Sequence, residues 1–382
     1  MKQIIQSKNV YYEEKFQPLQ LVIDDGRITE ILPYGTLEAT DDYGDNWVLP
    51  GLVDIHNHGY YGTEANSATV EGLREWARYM PQEGVTGFLV TVSAETDEKT
   101  MFKGMHNIAK VIREEPEGAR ILGVHSEGPF ISESHAGAQK IEYMVIPTVE
   151  TIKKYQQECD GHLVLVMLAP EMLEDMSVID YCRDNGIKVT IGHTGATFEQ
   201  CAEALKHGAG SFTHTFNAMT PLNHRKPGAA GAAMYFRDAY AELIGDGVHV
   251  SYVAANILAH FKGKDRLISV TDSLQLKGFP VGKYDEGGYT VYVTEEEVCR
   301  LADGGLCGST NMLNHILAKE ITKAGIDPVT AINSCTCNPL NFLGIGDHKG
   351  YIKEGYDADI CVLDENFDAV QTYVMGTKML KG

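Results

Sequence analysis

No apolar run in this 382-residue chain approaches the ~18–20 residues that cross a bilayer as a helix. A transmembrane helix is therefore excluded. The stretch Met1-Lys2-Gln3-Ile4-Ile5-Gln6-Ser7-Lys8-Asn9 has neither a long apolar core nor a small-residue cleavage site, so no signal peptide is expected. Positive charge is scarce. Lys and Arg number 32 against 53 Asp and Glu, a formal net charge of −21. That balance argues against nucleic-acid binding. It leaves open an anionic small substrate, because screening over ~8 Å lets a local cationic pocket act inside an acidic protein. The eight cysteines are scattered without a Cys-x-x-Cys pair, and a chain of this length needs no disulfide staples. Reduced thiols and a cytoplasmic location are expected.

Hydrophobic residues make up 43% of the chain, enough for a full catalytic core and a smaller domain. Short strands are read at both chain ends. Two apolar stretches around Asp25-Gly26 predict a hairpin over residues 21–32. Residues 358–364 and 370–375 read as strands, and the two ends are expected to join in one small β-domain of residues 1–48 and 350–382. Between them, residues 49–349 alternate. Strands are predicted at 49–56, 87–92, 121–125, 163–168, 188–191, 210–213, 241–244 and 267–271. Helices are predicted at 70–80, 99–115, 149–158, 177–185 and 198–207. Thr197 and Gln200 form a capping-box start, and Asp327-Pro328 begins a further helix. Eight strand–helix units imply an α/β fold of the (β/α)8 TIM-barrel type. An open doubly wound sheet is the rival, disfavoured because no glycine-rich dinucleotide fingerprint follows the first strand. Residues 279–305 break the rhythm and read as an inserted hairpin over the site.

The polar residues that follow these strands carry the chemistry. His56 and His58 end the first, Glu127 the third, His193 the fifth, His214 the sixth and Asp272 the eighth. In a barrel such strand ends share one face. Glu127, His193 and His214 make a two-nitrogen, one-carboxylate set that fits an open zinc-type site. His56 and His58 suit a second ion, bridged by Glu127 or Asp272, at the ~3.5–4 Å spacing of two-metal sites. Asp272, with a reference pKa of ~3.9, is the candidate general base. The cluster His224-Arg225-Lys226 is a small cationic island in an acidic chain, and a guanidinium binds phosphate oxygens in bidentate fashion.

Together the stretches Pro50-Gly51-Leu52-Val53-Asp54-Ile55-His56-Asn57-His58-Gly59, Glu127-Gly128-Pro129-Phe130, Gly192-His193-Thr194, Thr213-His214-Thr215-Phe216-Asn217-Ala218-Met219, Arg225-Lys226-Pro227-Gly228, Asp246-Gly247-Val248-His249, Thr271-Asp272 and Gly304-Gly305-Leu306-Cys307-Gly308-Ser309 resemble the amidohydrolase superfamily. Within it they resemble the N-acetylglucosamine-6-phosphate deacetylases. The resemblance implies a metal-dependent barrel with a small β-sandwich, assembled as a homodimer or larger homo-oligomer. It assigns the metal to Glu127, His193 and His214, a second metal to His56 and His58, and acid/base chemistry to Asp272. It assigns substrate contacts to Asn217, Ala218, Arg225, His249 and the segment Leu306-Cys307-Gly308, with Arg225 supplied across the subunit interface in some relatives. The fourth strand ends at Ala169-Pro170, without the lysine of branches that bridge two metals through a carboxylated lysine.

One departure stands out. The family triplet Gly-Ala-His is here Gly137-Ala138-Gln139, and Gln139 cannot become cationic or transfer a proton. His135, four residues earlier, is the alternative donor. The reaction implied is removal of the acetyl group from N-acetylglucosamine 6-phosphate. The alternatives are a galactosamine 6-phosphate or unphosphorylated analogue, another amidohydrolase reaction, or a non-catalytic sugar-phosphate sensor. The donor set suits zinc first, with iron, cobalt or manganese as alternatives, one or two ions per subunit.

Overall fold

The computed structural model describes residues 2–286 and 289–380. Met1, Lys381 and Gly382 of the expected small domain, and Gly287-Gly288 of the expected hairpin, lie outside the described residues.

Both chain ends build one sheet. Strands Gln3–Tyr12, Lys15–Asp24 and Arg27–Pro33 form an antiparallel meander, and Trp47–Pro50 joins it to Ile360–Leu363, Ala369–Val374 and Thr377–Lys378. The predicted hairpin is present, with Asp24 opposite Arg27 and Asp25-Gly26 in the turn. Ile5, Leu21, Ile23, Ile28, Val48, Ile360 and Tyr373 form this sheet's own core.

Between the ends runs a parallel sheet of eight strands in sequence order. They are β1 (Leu52–Asp54), β2 (Val85–Ser93), β3 (Arg120–Glu127), β4 (Leu163–Leu168), β5 (Lys188–Ile191), β6 (Ser211–Phe212), β7 (Tyr240–Leu243) and β8 (Leu267–Ser269). β2 is buried at every position, as a parallel strand covered on both faces must be. Val53, Ile55, Leu89, Leu165 and Ile268 pack together as one apolar cluster. Helices cover the outside through a larger core that includes Trp76, Phe88 and Tyr155. Each fully buried large apolar side chain contributes ~1.5–3 kcal/mol. Just past their C-terminal ends β8 and β1 meet. The Asp272 N–H donates to the His56 carbonyl at 2.9 Å, Asn57 bridges Ser273, and the Thr271 hydroxyl donates to Asp54 Oδ2 at 2.6 Å. The expected TIM barrel is the fold.

The predicted helices form, at Val70–Tyr79, Glu98–Glu114, Val149–Glu158, Ser177–Asp184 and Phe198–His207. Both halves of the Thr197/Gln200 capping box are made. Asp327 caps the helix Pro328–Cys335.

Two expectations are corrected. The predicted strand 49–56 is split. Trp47–Pro50 pairs within the small sheet, and only Leu52–Asp54 enters the barrel. Both sheets demand apolar residues, so the run reads as continuous. The break falls at Gly51, where a Cβ would lie 2.1 Å from Thr86 Oγ1. The insertion is larger than a hairpin. Strands Gly282–Glu286, Tyr289–Val293, Val298–Leu301 and Leu306–Ser309 form a four-stranded antiparallel sheet. Its last strand reaches the catalytic end of the barrel, where the Ser309 N–H donates to the Asp272 carbonyl at 2.8 Å.

Candidate metal centre and substrate cavity

The barrel brings all six predicted metal-type residues to one point. They fall into two sets of converging ligand atoms, His56–His58–Asp272 and Glu127–His193–His214. Three of these residues sit in the left-handed backbone region: His193 at φ 44°, His214 at φ 25° and Asp272 at φ 48°. Such conformations cost roughly 1–3 kcal/mol each and persist where surrounding structure enforces them. Here they occur where the chain leaves β5, β6 and β8.

Hydrogen bonds on the far side of the rings fix how His56, His58 and His193 point, while His214 Nδ1 has no partner among the described residues. His58 Nδ1 donates to the Thr91 carbonyl at 3.0 Å. His193 Nδ1 donates to the His135 carbonyl at 2.8 Å. A neutral ring with its proton on Nδ1 presents a lone pair at Nε2. Yet His193 Nε2 lies 3.1 Å from Glu127 Oε1 and 3.1 Å from His214 Nε2. His58 Nε2 lies 3.1 Å from Glu127 Oε2, 3.3 Å from Asp272 Oδ1 and 3.3 Å from His56 Nε2. Acceptors that face acceptors in a buried site call for a cation between them. Burial alone would lower the His58 imidazole, but Asp272 and Glu127 outweigh it and lift it to about 10. The site therefore favours positive charge, and the donor set fits a divalent ion. His56 is held from behind by Glu242, whose Oε2 lies 3.0 Å from Nδ1 and also accepts from the His214 N–H at 3.2 Å.

Asp272 is a carboxylate that lines the cavity. Burial works to raise its pKa, but His58 and His56 hold it below the usual carboxylate range. It is therefore ionised at neutral pH and able to accept a proton. Gly308 passes against it with φ +73°, and a Cβ there would lie 2.8 Å from the Asp272 carbonyl.

A cavity of about 250 Å³ opens above the cluster. Besides His58, Glu127, His193, His214 and Asp272, the residues Gly137, Ala138, Gln139, Asn217, Ala218, His249, Leu306, Cys307 and Gly308 line it. His249 Nδ1 contacts Asp246 Oδ2 at 2.6 Å, while its Nε2 has no hydrogen-bond partner among the described residues. Burial opposes a proton on this ring, yet Asp246 raises its pKa. A proton on this ring is thereby favoured, which suits contact with an anion.

Two predicted substrate residues stand otherwise than expected. Gln139 lines the cavity, but its amide is committed elsewhere. Oε1 accepts from the Ala94 N–H at 2.9 Å and Nε2 donates to the Glu127 carbonyl at 2.8 Å. It clamps the ends of β2 and β3 together. His135 does not take over the missing role, since it does not line the cavity; its Nδ1 is hydrogen-bonded to Ser134 Oγ at 2.8 Å. Arg225 is exposed in the loop 220–227, with Nη1 donating to His224 Nε2 at 2.7 Å, and it does not line its own chain's cavity. Sequence reasoning missed Glu242, Asp54, Thr91 and Asp246, which orient the ligands. A buried acid inside the apolar run of β7 was the one available signal for Glu242. It also missed Glu95, at the cavity wall beyond β2.

The amidohydrolase family model matches residues 47–379. The N-acetylglucosamine-6-phosphate deacetylase of Lysinibacillus sphaericus is 33% identical over 364 residues, covering 94% of this chain and 93% of that protein. The N-acetylgalactosamine-6-phosphate deacetylase of Escherichia coli O157:H7 is 30% identical, covering 98% and 99%. A mutant N-acetyl-D-glucosamine-6-phosphate deacetylase of Mycobacterium smegmatis, solved in complex with N-acetyl-D-glucosamine-6-phosphate, superposes with a TM-score of 0.93 at 25% identity and full coverage of both chains. With its barrel, its strand-end ligands and a family match over most of its length, the chain belongs to the amidohydrolase family.

Proposed function

We propose that this protein is a divalent-metal-dependent amide hydrolase that removes the acetyl group of N-acetylglucosamine 6-phosphate, yielding glucosamine 6-phosphate and acetate. The observation that carries this reading is the convergence of Glu127, His193, His214, His56, His58 and Asp272 beside a cavity that His249 and Asn217 also line. Relatives at 33–34% identity over more than nine-tenths of the chain carry that activity in their names.

Glu127, His193 and His214 would hold the first ion, zinc by donor type, and His56 with His58 a second. Such an ion supplies Lewis-acid polarisation of the amide carbonyl and makes the attacking water more acidic. The chain's own residues do the rest. Asp272 accepts a proton from the water as it attacks. Asp272 then returns that proton to the leaving nitrogen as the C–N bond breaks, so that one group serves as base and then as acid. His249 and Asn217 hold the phosphate end, and the Leu306-Cys307-Gly308 segment lines the sugar. With Gln139 tied to backbone, no side chain at that position polarises the carbonyl, and that task passes to the metal site.

A homodimer completes the phosphate site in this reading. Arg225 is exposed and does not line its own cavity. Leu222, in the same loop, and Tyr235 and Val253, on the two helices that follow, expose apolar side chains, which supports a covering second copy. The eight free, buried cysteines support a reducing, cytoplasmic setting. No described helix is long and apolar enough to cross a membrane. A division into residues 1–48 with 350–382 and residues 49–349 is supported by the terminal sheet's own apolar cluster, although Tyr11, Cys361 and Leu363 of that sheet also pack into the barrel's core.

The test is Asp272→Asn. Full metal content with acetate release reduced by ~10²–10⁴ supports the assignment. Near-full turnover with metal retained removes Asp272 from the acid/base role.

A further inference from the structure

Past the end of β4 the chain turns through Pro170–Met172, and Glu171 lies in that turn. The Ala169 N–H donates to the Phe130 carbonyl at 2.9 Å, which ties the start of the turn to the segment after β3. Glu171 belongs to neither set of metal-type residues and does not line the catalytic cavity. Both its oxygens reach instead to the chain that leaves β5. Oε2 accepts from the Thr194 hydroxyl at 2.5 Å, and Oε1 accepts from the Gly195 N–H. Bonds to an ionised carboxylate are the stronger kind, and two of them on one half-buried side chain fix the loop against the turn.

Thr194 directly follows the metal-type His193 and is fully buried. Its backbone is also the seam to the next loop. The Thr194 N–H donates to the Ala218 carbonyl at 3.0 Å, and the Thr194 carbonyl accepts from the Thr220 N–H at 3.2 Å. The Thr194 hydroxyl accepts in turn from the Ala196 N–H at 3.0 Å, and the Thr220 hydroxyl donates to the Ala196 carbonyl at 2.6 Å. One residue thus joins the segments that follow β4, β5 and β6. On both sides of the seam the backbone is strained, with His193 at φ 44° and Ala218 at φ 45°. Such conformations persist only where surrounding contacts enforce them. Ala218 and its neighbour Asn217 line the cavity.

We propose that Glu171 is a positioning residue, which acts through Thr194 to fix the metal-type His193 and the substrate loop Asn217-Ala218 relative to each other. For its substrate this rests on the deacetylase reading. Glu171 itself touches no reacting atom. Without it the loop after β5 is free to shift, and both ends of the chain of bonds respond. His193 no longer approaches the cluster from one fixed direction, and Asn217 no longer keeps register with it.

The experiment takes two readings on folded, full-length protein. One is the zinc dissociation constant in a chelator buffer. The other is kcat and KM for N-acetylglucosamine 6-phosphate at saturating zinc. Glu171→Ala is expected to weaken zinc binding about tenfold and to raise KM about tenfold. The kcat should change less than KM, because this chain of bonds does not reach Asp272 on β8. Thr194→Val, which removes the hydroxyl at nearly constant shape, should reproduce both shifts. Thr194→Ser, which keeps the hydroxyl, should bring both back to within about threefold of the unsubstituted protein. The double variant Glu171→Ala/Thr194→Val should be no worse than the worse single one, because the two act through one bond. Thr194→Val carries the test alone if Glu171→Ala does not fold. Zinc affinity and KM both within about twofold of the unsubstituted protein overturn the proposal, as does a double variant whose losses multiply. Unsubstituted protein that binds zinc but releases no acetate overturns the deacetylase reading, and the zinc constants then still decide for or against Glu171.

Discussion

His58 gives its Nδ1 proton to the Thr91 carbonyl at 3.0 Å and thereby turns the lone pair of Nε2 towards Asp272, 3.3 Å away. A bond made at the last turns of β2 thus sets the ligand that faces the catalytic carboxylate. Two other rings follow the same rule. The backbone at His135 orients His193, and Glu242 orients His56.

Glu242 is the carboxylate behind His56, so its loss should be felt at the metal. Glu242→Gln is expected to lower metal affinity by ~10–100-fold and leave the fold intact. Titration against a metal buffer, with circular dichroism as the folding control, reads this directly. Unchanged affinity would show that His56 needs no partner.

Gln139 acts here as a clamp. Gln139→Ala removes both hydrogen bonds that tie Ala94 to Glu127 and leaves buried backbone groups unpaired, at ~1–3 kcal/mol each. A lower unfolding midpoint and a lower kcat, with the pH–rate profile unmoved, are expected. A shifted pH profile would instead place Gln139 in the proton-transfer path.

Arg225 is predicted to act only on phosphorylated substrate. Losing a charge-assisted contact of ~1.5–3 kcal/mol raises KM for the sugar phosphate by roughly 10–100-fold in Arg225→Ala, with metal content unchanged. An equal loss on an unphosphorylated sugar would contradict a phosphate contact.

Glu320 lies fully buried beneath the barrel, where Ser269 Oγ donates to it at 2.6 Å. Burial pushes its carboxyl up to about 8 from 4.5, and the Ser269 bond only partly opposes this. A raised pKa means that the folded state binds the proton more tightly. The stabilisation is complete below pH 4.5 and is lost as pH rises towards 8, at ~1.4 kcal/mol per pH unit within that window. Glu320→Gln should flatten this slope. Melting temperatures of both proteins at pH 6 and pH 8.5 give the comparison, and parallel curves would show that Glu320 does not titrate with folding.

Much of this site was legible because a barrel converts position in sequence into position in space. His56, Glu127, His193, His214 and Asp272 each follow an apolar run, and eight such runs in a barrel leave their ends on one face. Local signals held for the same reason. The capping box at Thr197 and the turn at Asp25-Gly26 depend on neighbours in the chain. What escaped depends on contacts distant in sequence. The break at Gly51 is set by Thr86. The orienting roles of Glu242, Asp54 and Asp246 become visible only when facing elements meet. Leu306–Ser309 read as a loop, because its pairing partner, Val298–Leu301, completes a sheet that the apolar pattern alone does not announce. Gln139 stood out as a family departure, but its commitment to two backbone groups could not be read from its neighbours.

The most direct test of the central claim is acetate release by metal-reconstituted protein on N-acetylglucosamine 6-phosphate and unphosphorylated N-acetylglucosamine, measured side by side. Efficient turnover of the phosphorylated sugar alone is the predicted result, and it would establish both the reaction and the anion site at His249. Turnover of neither, from protein shown to contain metal, would contradict the named reaction and leave the barrel and its metal ligands standing.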